Sequence, residues 1–153
     1  MSKQAPVLSA PGAAPTLDIG GSRLIHRIDS ASTHGALSVV EFISQPGEGV
    51  GVHTHEREDE LVYLLEGEIQ VSLGGQELTV TQGACALLPR GIPHGYTNIG
   101  SVPSRLLAVL LPGRLDAFFV ELSKELASDR PHEEAIVGLC RAFGLTFLQP
   151  AGK

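Results

Sequence analysis

The chain has 153 residues, a formal net charge of −6 and a hydrophobic share of 42%. This length is typical of one domain with a single substantial core. Because aromatic residues make up only 5% and Trp is absent, we expect that core to be mainly aliphatic. No block of Lys or Arg occurs, and nucleic-acid binding depends on clustered cations. We therefore expect no nucleic-acid partner.

The sequence shows no targeting or membrane-spanning pattern. Polar residues, Pro and Gly interrupt the N-terminal region after Lys3, which is not the pattern of a signal peptide. No apolar run approaches the roughly 18 residues that a membrane helix needs. We expect a cytoplasmic protein without membrane contact. Since nothing indicates an oxidising compartment, Cys85 and Cys140 are expected to be free, buried thiols.

The first part of the chain is predicted to be a β-barrel preceded by a tail. Residues 1–16 are rich in Pro, Ala, Ser and Gly, which predicts a mobile tail that buries little surface. From residue 22, short apolar segments alternate with Gly, Pro and Asn at intervals of roughly 8 to 12 residues, as in sandwiches and barrels. The absence of βαβ alternation excludes a doubly wound nucleotide fold. The predicted strands are 22–29, 36–44, 50–55, 60–66, 68–73, 76–80, 85–88, 95–98 and 104–111.

After residue 112 the hydrophobic period becomes helical. An amphipathic helix is predicted over 114–127, and a second one from near Pro131 to Gly144. Residues 145–148 either add a short edge strand or simply dock. The predicted organisation is a tail over 1–16, a β-barrel over 17–111 and a helical extension over 112–153 that packs on the barrel. The expected inward positions of the helices are Leu115, Phe118, Phe119, Leu122, Leu126, Ile136, Leu139, Cys140 and Phe143.

One stretch, 47–67, carries the first candidate site and reads GEGVGVHTHEREDELVYLLEG. His53 and His55 are two residues apart, which places them on one face of a strand, and Glu60 follows. Two imidazoles and a carboxylate suit a divalent transition metal. However, strand histidines are often only half-buried polar residues, and acidic neighbours such as Glu56, Glu58 and Asp59 usually form a solvated face. This stretch alone leaves metal binding open.

A second stretch, 83–98, reads GACALLPRGIPHGYTN and places His94 just after a turn rich in Pro and Gly. The two stretches together resemble the two signature motifs of the cupin superfamily. The first motif is Gly, five residues, His, one residue, His, three or four residues, Glu, six residues, Gly. The second is Gly, five residues, Pro, one residue, Gly, two residues, His, three residues, Asn. All ten fixed positions are matched, by Gly47, His53, His55, Glu60 and Gly67 and by Gly83, Pro89, Gly91, His94 and Asn98.

This resemblance covers roughly residues 20–111. It implies an all-β double-stranded β-helix, or jelly-roll barrel, here followed by the two-helix extension. It also implies that His53, His55, Glu60 and His94 bind a metal. The spacing and the C-terminal segment are further similar to small single-domain bacterial cupins described as quercetin dioxygenase-like.

Strand parity predicts a pocket beside these residues without reference to any family. If His53 and His55 face inward, Gly49 and Gly51 share that face and leave space for a ligand. By the same rule, side chains that follow Glu60 and His94 at steps of two face inward, which gives a mostly apolar pocket with one phenol. The predicted substrate contacts are Gly51, Val62, Leu64 and Tyr96, with Tyr96 the foremost of them.

The remaining histidines are out of register with both motifs. His26 is interpreted as a hydrogen-bonded strand histidine rather than a pocket residue. His34 and His132 are expected to be solvated, the first in a turn and the second in the first turn of a helix.

Four protein ligands leave one or two positions open on a metal that prefers five or six, so a substrate, water or dioxygen can bind. No convergent Arg or Lys is expected in the pocket, which disfavours a sugar phosphate. We predict one divalent metal per chain (Fe, Mn, Ni, Zn or Cu) and a dioxygenase or related oxidoreductase. Its small aromatic or dicarbonyl-like substrate would chelate through oxygen, and Glu60 would be both ligand and catalytic base. A non-redox cyclase, isomerase or lyase, and a non-catalytic small-molecule-binding module, remain alternatives. The resemblance and the apolar composition also suggest a homodimer.

Overall fold

A computed structural model describes residues 3–130 and 133–148 of the chain. Eleven strands are present in this part of the protein. They are β1 (Thr16–Asp18), β2 (Arg23–Ile28), β3 (Ser38–Ser44), β4 (Gly49–His55), β5 (Asp59–Glu66), β6 (Glu68–Leu73), β7 (Gln76–Thr81), β8 (Cys85–Leu88), β9 (His94–Asn98), β10 (Ser104–Leu111) and β11 (Leu145–Phe147).

The strands form two antiparallel sheets. One has the order β1-β2-β3-β10-β5-β8 and the other the order β11-β4-β9-β6-β7. This confirms the predicted all-β architecture, and every one of the nine predicted strands is present within two residues of its expected ends. Strand β1 has no counterpart among the predicted strands. For residues 145–148 the edge-strand alternative is confirmed, since β11 pairs with β4 at the edge of the sheet.

Alternation of side chains explains why these segments form strands around one core. In β10, Leu106, Ala108 and Leu110 are buried while Leu107 and Val109 are only half-buried, because successive side chains point to opposite faces. β10 lies between β3 and β5. Its inward side chains therefore meet those of the opposite sheet in a core that is mainly aliphatic, as expected.

Two helices follow the barrel, as predicted. A 3₁₀ turn (Gly113–Leu115) leads into α1 (Asp116–Leu126), and α2 spans Glu133–Ala142. Phe118 and Phe119 on the apolar side of α1 are buried. The second helix, α2, is less buried and packs through half-buried residues, among them Leu139. The predicted start of the second helix, at Pro131 and His132, lies outside the described residues.

The division into tail, barrel and extension remains a prediction. Within the described part of the expected tail, the Ser9 carbonyl accepts a hydrogen bond from Arg27 Nη2 at 3.2 Å. β1 begins at Thr16, within the expected tail, and β11 brings part of the extension into the five-stranded sheet. Among the described residues, no helix is long and apolar enough to cross a bilayer.

The expectation of buried thiols is wrong for Cys85 and is met only in part at Cys140. Both cysteines are free, but Cys85 is exposed and Cys140 is half-buried. β8 is an edge strand of its sheet, and Cys85 and Leu87 are exposed there while Leu88 is buried. An apolar sequence neighbourhood therefore does not ensure burial on an edge strand.

The interpretation of Gly49 as space for a ligand is also wrong. The pairing of β4 with β9 shifts register by one residue between Val50 and His53, which is a β-bulge that breaks strict alternation. A Cβ at Gly49 would overlap the carbonyl oxygen of Tyr96. The missing side chain lets the two backbones approach closely, because a Cβ there would point at the β9 backbone, although Gly49 also borders the cavity.

We expect Gly49→Ala to destabilise the protein by about 1–3 kcal/mol, because the added methyl group forces β4 away from β9. The matched control is Gly138→Ala in α2, where nothing lies within 4 Å of an added Cβ. That change should stabilise the protein by about 0.5–1 kcal/mol through helix propensity. Chemical denaturation of both variants measures the difference, and an unchanged midpoint for Gly49→Ala would contradict the close approach.

Candidate metal centre

Three histidines meet between the two sheets. His53 and His55 come from β4 and His94 from β9, and the strand register places His53 directly opposite His94. All three are buried. One ring nitrogen from each lies within 4.8 Å of the others, and the Nε2 atoms of His53 and His55 are 2.9 Å apart. This cluster can hold a metal ion.

Backbone carbonyl groups orient two of the three imidazoles. His53 Nδ1 lies 2.7 Å from the Gly51 oxygen, and His94 Nδ1 lies 3.0 Å from the Ile92 oxygen. A carbonyl oxygen only accepts hydrogen bonds, so Nδ1 carries the proton in both rings. The lone pairs on Nε2 therefore face the centre, and His94 Nε2 has no hydrogen-bond partner there.

Glu60 reaches the same point from the opposite sheet. It lies on β5, and its Oε2 atom is 3.5 Å from His55 Nε2 and 3.3 Å from His94 Nε2. Its side chain is buried. The structure thus brings together all four side chains that the sequence singled out as ligands, although 41 positions separate His53 from His94 along the chain.

Burial and mutual charge set the protonation of this group. Burial lowers the pKa of His53 and lowers that of His55 to about 4. Burial acts in the same direction on His94, but the Glu60 carboxylate outweighs it and raises the pKa of His94. Burial alone would raise the pKa of Glu60, but the three histidines lower it overall. Neutral imidazoles and an ionised carboxylate form a donor set that fits a divalent transition metal.

A cavity of about 420 Å³ adjoins the centre and is mostly apolar. Both sheets and α1 contribute to its wall. No Lys or Arg side chain from the described residues lines it. Its walls include Phe42, Ile69, Val71, Leu106, Phe118 and Phe119.

The four predicted substrate-contact residues all line this cavity, although their contact with a substrate remains a prediction. Val62 and Leu64 share the inward face of β5 with Glu60, as parity predicted. The Tyr96 hydroxyl lies 2.8 Å from Ser44 Oγ, and burial raises the pKa of Tyr96 to about 12. Its phenol therefore stays protonated and hydrogen-bonded at neutral pH. Gly51 lies within the β4 bulge.

Phe147 is an aromatic wall residue that the sequence pattern did not predict. β11 pairs Phe147 opposite His53, and the two ring centroids are 5.1 Å apart. An added Cβ at Gly51 would lie 3.8 Å from the Phe147 ring. The alternation of apolar and polar residues over 145–148 indicates a possible strand. It does not identify β4 as the strand with which this segment pairs.

The acidic neighbours of Glu60 are not all solvated, so that interpretation is wrong for Glu58. Its side chain is buried, and in the described part of the chain its Oε2 atom has no hydrogen-bond partner. Asp59, in contrast, is partly exposed and forms an ion pair with Arg90 at 3.1 Å.

His26 is a hydrogen-bonded structural residue, as interpreted. Its Nε2 atom is 2.9 Å from Asp116 Oδ2, and the same carboxylate accepts hydrogen bonds from the Ser30 backbone and hydroxyl. Burial alone would raise the pKa of Asp116, but these hydrogen bonds lower it overall. His34 is exposed, as expected, and His132 lies outside the described residues.

Comparison with known proteins agrees with this geometry. A family model described as a cupin domain matches residues 40–110. The chain is 33% identical over 101 residues to the tetracenomycin polyketide synthase protein TcmJ of Streptomyces glaucescens, covering 65% of this chain and 66% of TcmJ. It is 33% identical over 117 residues to quercetin 2,3-dioxygenase of Bacillus subtilis, covering 71% of this chain and 34% of that protein. The chain thus spans between about a third and two thirds of the length of these relatives.

Solved structures share the fold. A predicted oxalate decarboxylase from Thermotoga maritima superposes with a TM-score of 0.66, covering 69% of this chain and 99% of that one. The two sequences are 22% identical in this alignment. The similarity shows the double-stranded β-helix fold and carries no inference about activity.

We expect His94→Ala to abolish stoichiometric metal binding while the barrel stays folded, because the aliphatic core does not depend on this side chain. Elemental analysis gives the metal content, and circular dichroism gives the fold. The control is His34→Asn, which changes an exposed histidine in a left-handed turn conformation that Asn tolerates. One metal per chain in His94→Ala would contradict the site.

We also expect the affinity for Zn²⁺ to fall as the pH is lowered, because the imidazoles must be neutral to bind. His94, whose pKa is raised above its ordinary 6.5, should be protonated first. The loss should continue toward pH 4, near which His55 is protonated, by about tenfold per pH unit for each proton displaced. Competition titrations with a chelator between pH 7.5 and 5.5 measure this, and a constant affinity would rule out ligation by these histidines.

Proposed function

Because the chain belongs to the cupin superfamily, we propose that it is a metal-dependent enzyme that acts on a small, largely apolar substrate. The observation that carries the proposal is the position of the three histidines and Glu60 at the wall of the apolar cavity. A substrate with a neighbouring pair of oxygen atoms, such as an aromatic hydroxyketone or a 1,3-dicarbonyl compound, matches both features. A sugar phosphate does not match the cavity, since no Lys or Arg from the described residues lines it.

The residues proposed to hold the metal are His53, His55, Glu60 and His94. A divalent transition metal there (Fe, Mn, Ni, Zn or Cu) would supply Lewis-acid or redox chemistry to the bound substrate. The four donors come from three strands of two sheets. The packed barrel therefore holds their geometry before any ligand arrives.

Glu60 is the residue we assign to proton transfer. Its pKa is lowered, because the surrounding histidines outweigh the effect of burial. The ionised carboxylate can accept the proton of an enol or a phenol that enters beside it. Val62 and Leu64, on the same face of β5, exclude water from the substrate side.

The activity that we favour is that of a dioxygenase or related oxidoreductase. The 33% identity with quercetin 2,3-dioxygenase supports it, as does the apolar cavity beside four donors, which leaves room for both a substrate and dioxygen. A non-redox cyclase, isomerase or lyase is the second candidate. It is favoured by the match to TcmJ, a polyketide synthase protein of which the alignment covers 66%, because polyketide chains carry repeated carbonyl groups. A homodimer and a cytoplasmic location also remain predictions.

Oxygen uptake distinguishes these activities. The protein is loaded anaerobically with Fe, Mn, Ni, Cu or Zn and mixed with flavonols and 1,3-diketones in aerated buffer. We expect uptake equal to substrate loss with at least one redox-active metal, and none with Zn or with the His94→Ala variant.

Two outcomes would contradict the assignment of a dioxygenase activity. Substrate conversion without oxygen uptake, at similar rates with Zn, would assign the non-redox reaction. Substrate binding without conversion by any loaded form would assign a non-catalytic binding module.

A further inference from the structure

Two buried polar atoms face each other on the side of His55 that points away from the metal centre. His55 Nδ1 and Glu58 Oε2 are 3.9 Å apart, and the two side chains are only 4% and 6% exposed. Neither atom has a hydrogen-bond partner among the described residues. A buried polar group without a partner is destabilising, so the pair calls for an explanation beyond packing.

The other two histidines of the centre show what His55 lacks. His53 and His94 each have Nδ1 within 3.0 Å of a backbone carbonyl oxygen, which holds the proton on Nδ1 and leaves Nε2 free for a metal. Within residues 3–130 and 133–148, no carbonyl accepts a hydrogen bond from His55 Nδ1. The side chain that faces its Nδ1 is Glu58, and metal-binding histidines typically donate their second N–H to a carbonyl or a carboxylate.

We propose that Glu58 is the positioning residue for His55, its carboxylate accepting the Nδ1–H when Nε2 binds the metal. This inference rests on the proposed metal site. Glu58 itself would contact neither metal nor substrate. It lies on the Nδ1 side of His55, whereas the centre is formed by the Nε2 atoms of the three histidines and by Glu60.

His55 Nδ1 and Glu58 Oε2 need to move only a short distance to form this hydrogen bond. A charge-assisted N–H···O bond is about 2.7–2.9 Å long, so the two groups must close by about 1 Å. Glu58 lies in the short connection between β4 and β5 rather than in a strand. The connection can therefore adjust without breaking the ladder pairing of either sheet.

If Glu58 positions His55, its substitution should affect metal affinity and the stability of the metal-free protein differently. In the metal-free protein the Glu58 Oε2 atom is buried and has no hydrogen-bond partner among the described residues, so the loss of the carboxylate charge should not lower the melting temperature. In the metal-bound protein the same change removes the acceptor that orients His55. A residue that only fills space would affect both quantities in the same direction.

The test compares Glu58→Ala, Glu58→Gln and the control Glu56→Gln, which removes a neighbouring exposed carboxylate. Zn²⁺ and Co²⁺ affinities are measured by chelator competition, and melting temperatures without metal. We expect Glu58→Ala to bind 10- to 100-fold more weakly. Glu58→Gln should stay within a few-fold of the wild type, because its amide oxygen still accepts the N–H, and its metal-free melting temperature should equal or exceed that of the wild type. The control should match the wild type in both measurements.

A second measurement reports the tautomer directly. In ¹⁵N-histidine spectra of the zinc-loaded protein, His55 should carry its proton on Nδ1 in the wild type and in Glu58→Gln, and should lose this uniform state in Glu58→Ala. Wild-type affinity in Glu58→Ala would overturn the inference. Equal losses of metal-free stability and affinity in both Glu58 variants would also overturn it, in favour of a packing role. Failure of the wild type to bind metal would refute the metal site and this inference together, whereas absence of oxygen uptake by a metal-loaded protein would refute only the proposed reaction.

Discussion

The pairing of β4 with β9 is the constraint on which the candidate site depends. It sets His53 opposite His94, and the β4 bulge restores the inward direction of His53 after Val50. Glu60 comes from the other sheet, so the centre exists only where the two layers face each other across the core. A shift of register by one residue on β4 would turn both of its histidines away, and the close contact of Gly49 with the β9 backbone opposes that shift.

Electrostatics explains why this cluster favours a cation. Three imidazoles and a carboxylate are buried together, and burial opposes every charged form among them. Without a cation, the charge of Glu60 raises the pKa of His94 against the effect of burial. A bound metal ion would offset the charge of Glu60 with a charge that all four donors can share. The lowered pKa of His55 and His53 keeps their lone pairs available for it at neutral pH.

Much of the fold could be predicted from sequence, because it follows from local periodicity, whereas the four donors of the centre are predicted by the resemblance of the two motifs to those of the cupin superfamily. Val62 and Leu64 face inward with Glu60 since β5 is regular. The same rule failed at Gly49, because a bulge depends on the partner strand and has no local signature. Glu58 was interpreted as solvated for a similar reason: its burial follows from how the connection between β4 and β5 folds back, which charge patterning does not report. The partner of Phe147 is His53, 94 positions away along the chain, so no local pattern indicates that Phe147 borders the site.

The C-terminal segment completes the cavity as well as packing against it. Phe118, Phe119 and Leu122 of α1 line its wall, and β11 pairs with the histidine strand itself. Asp116 fixes the start of α1 to His26 on β2, and Leu148 N donates to the Val52 carbonyl at 2.8 Å. The barrel strands thus hold the four donors, whereas α1 and β11 close the space beside them. Substitutions in the C-terminal segment should therefore alter which substrates fit, while those in the barrel motifs should alter whether a metal binds at all.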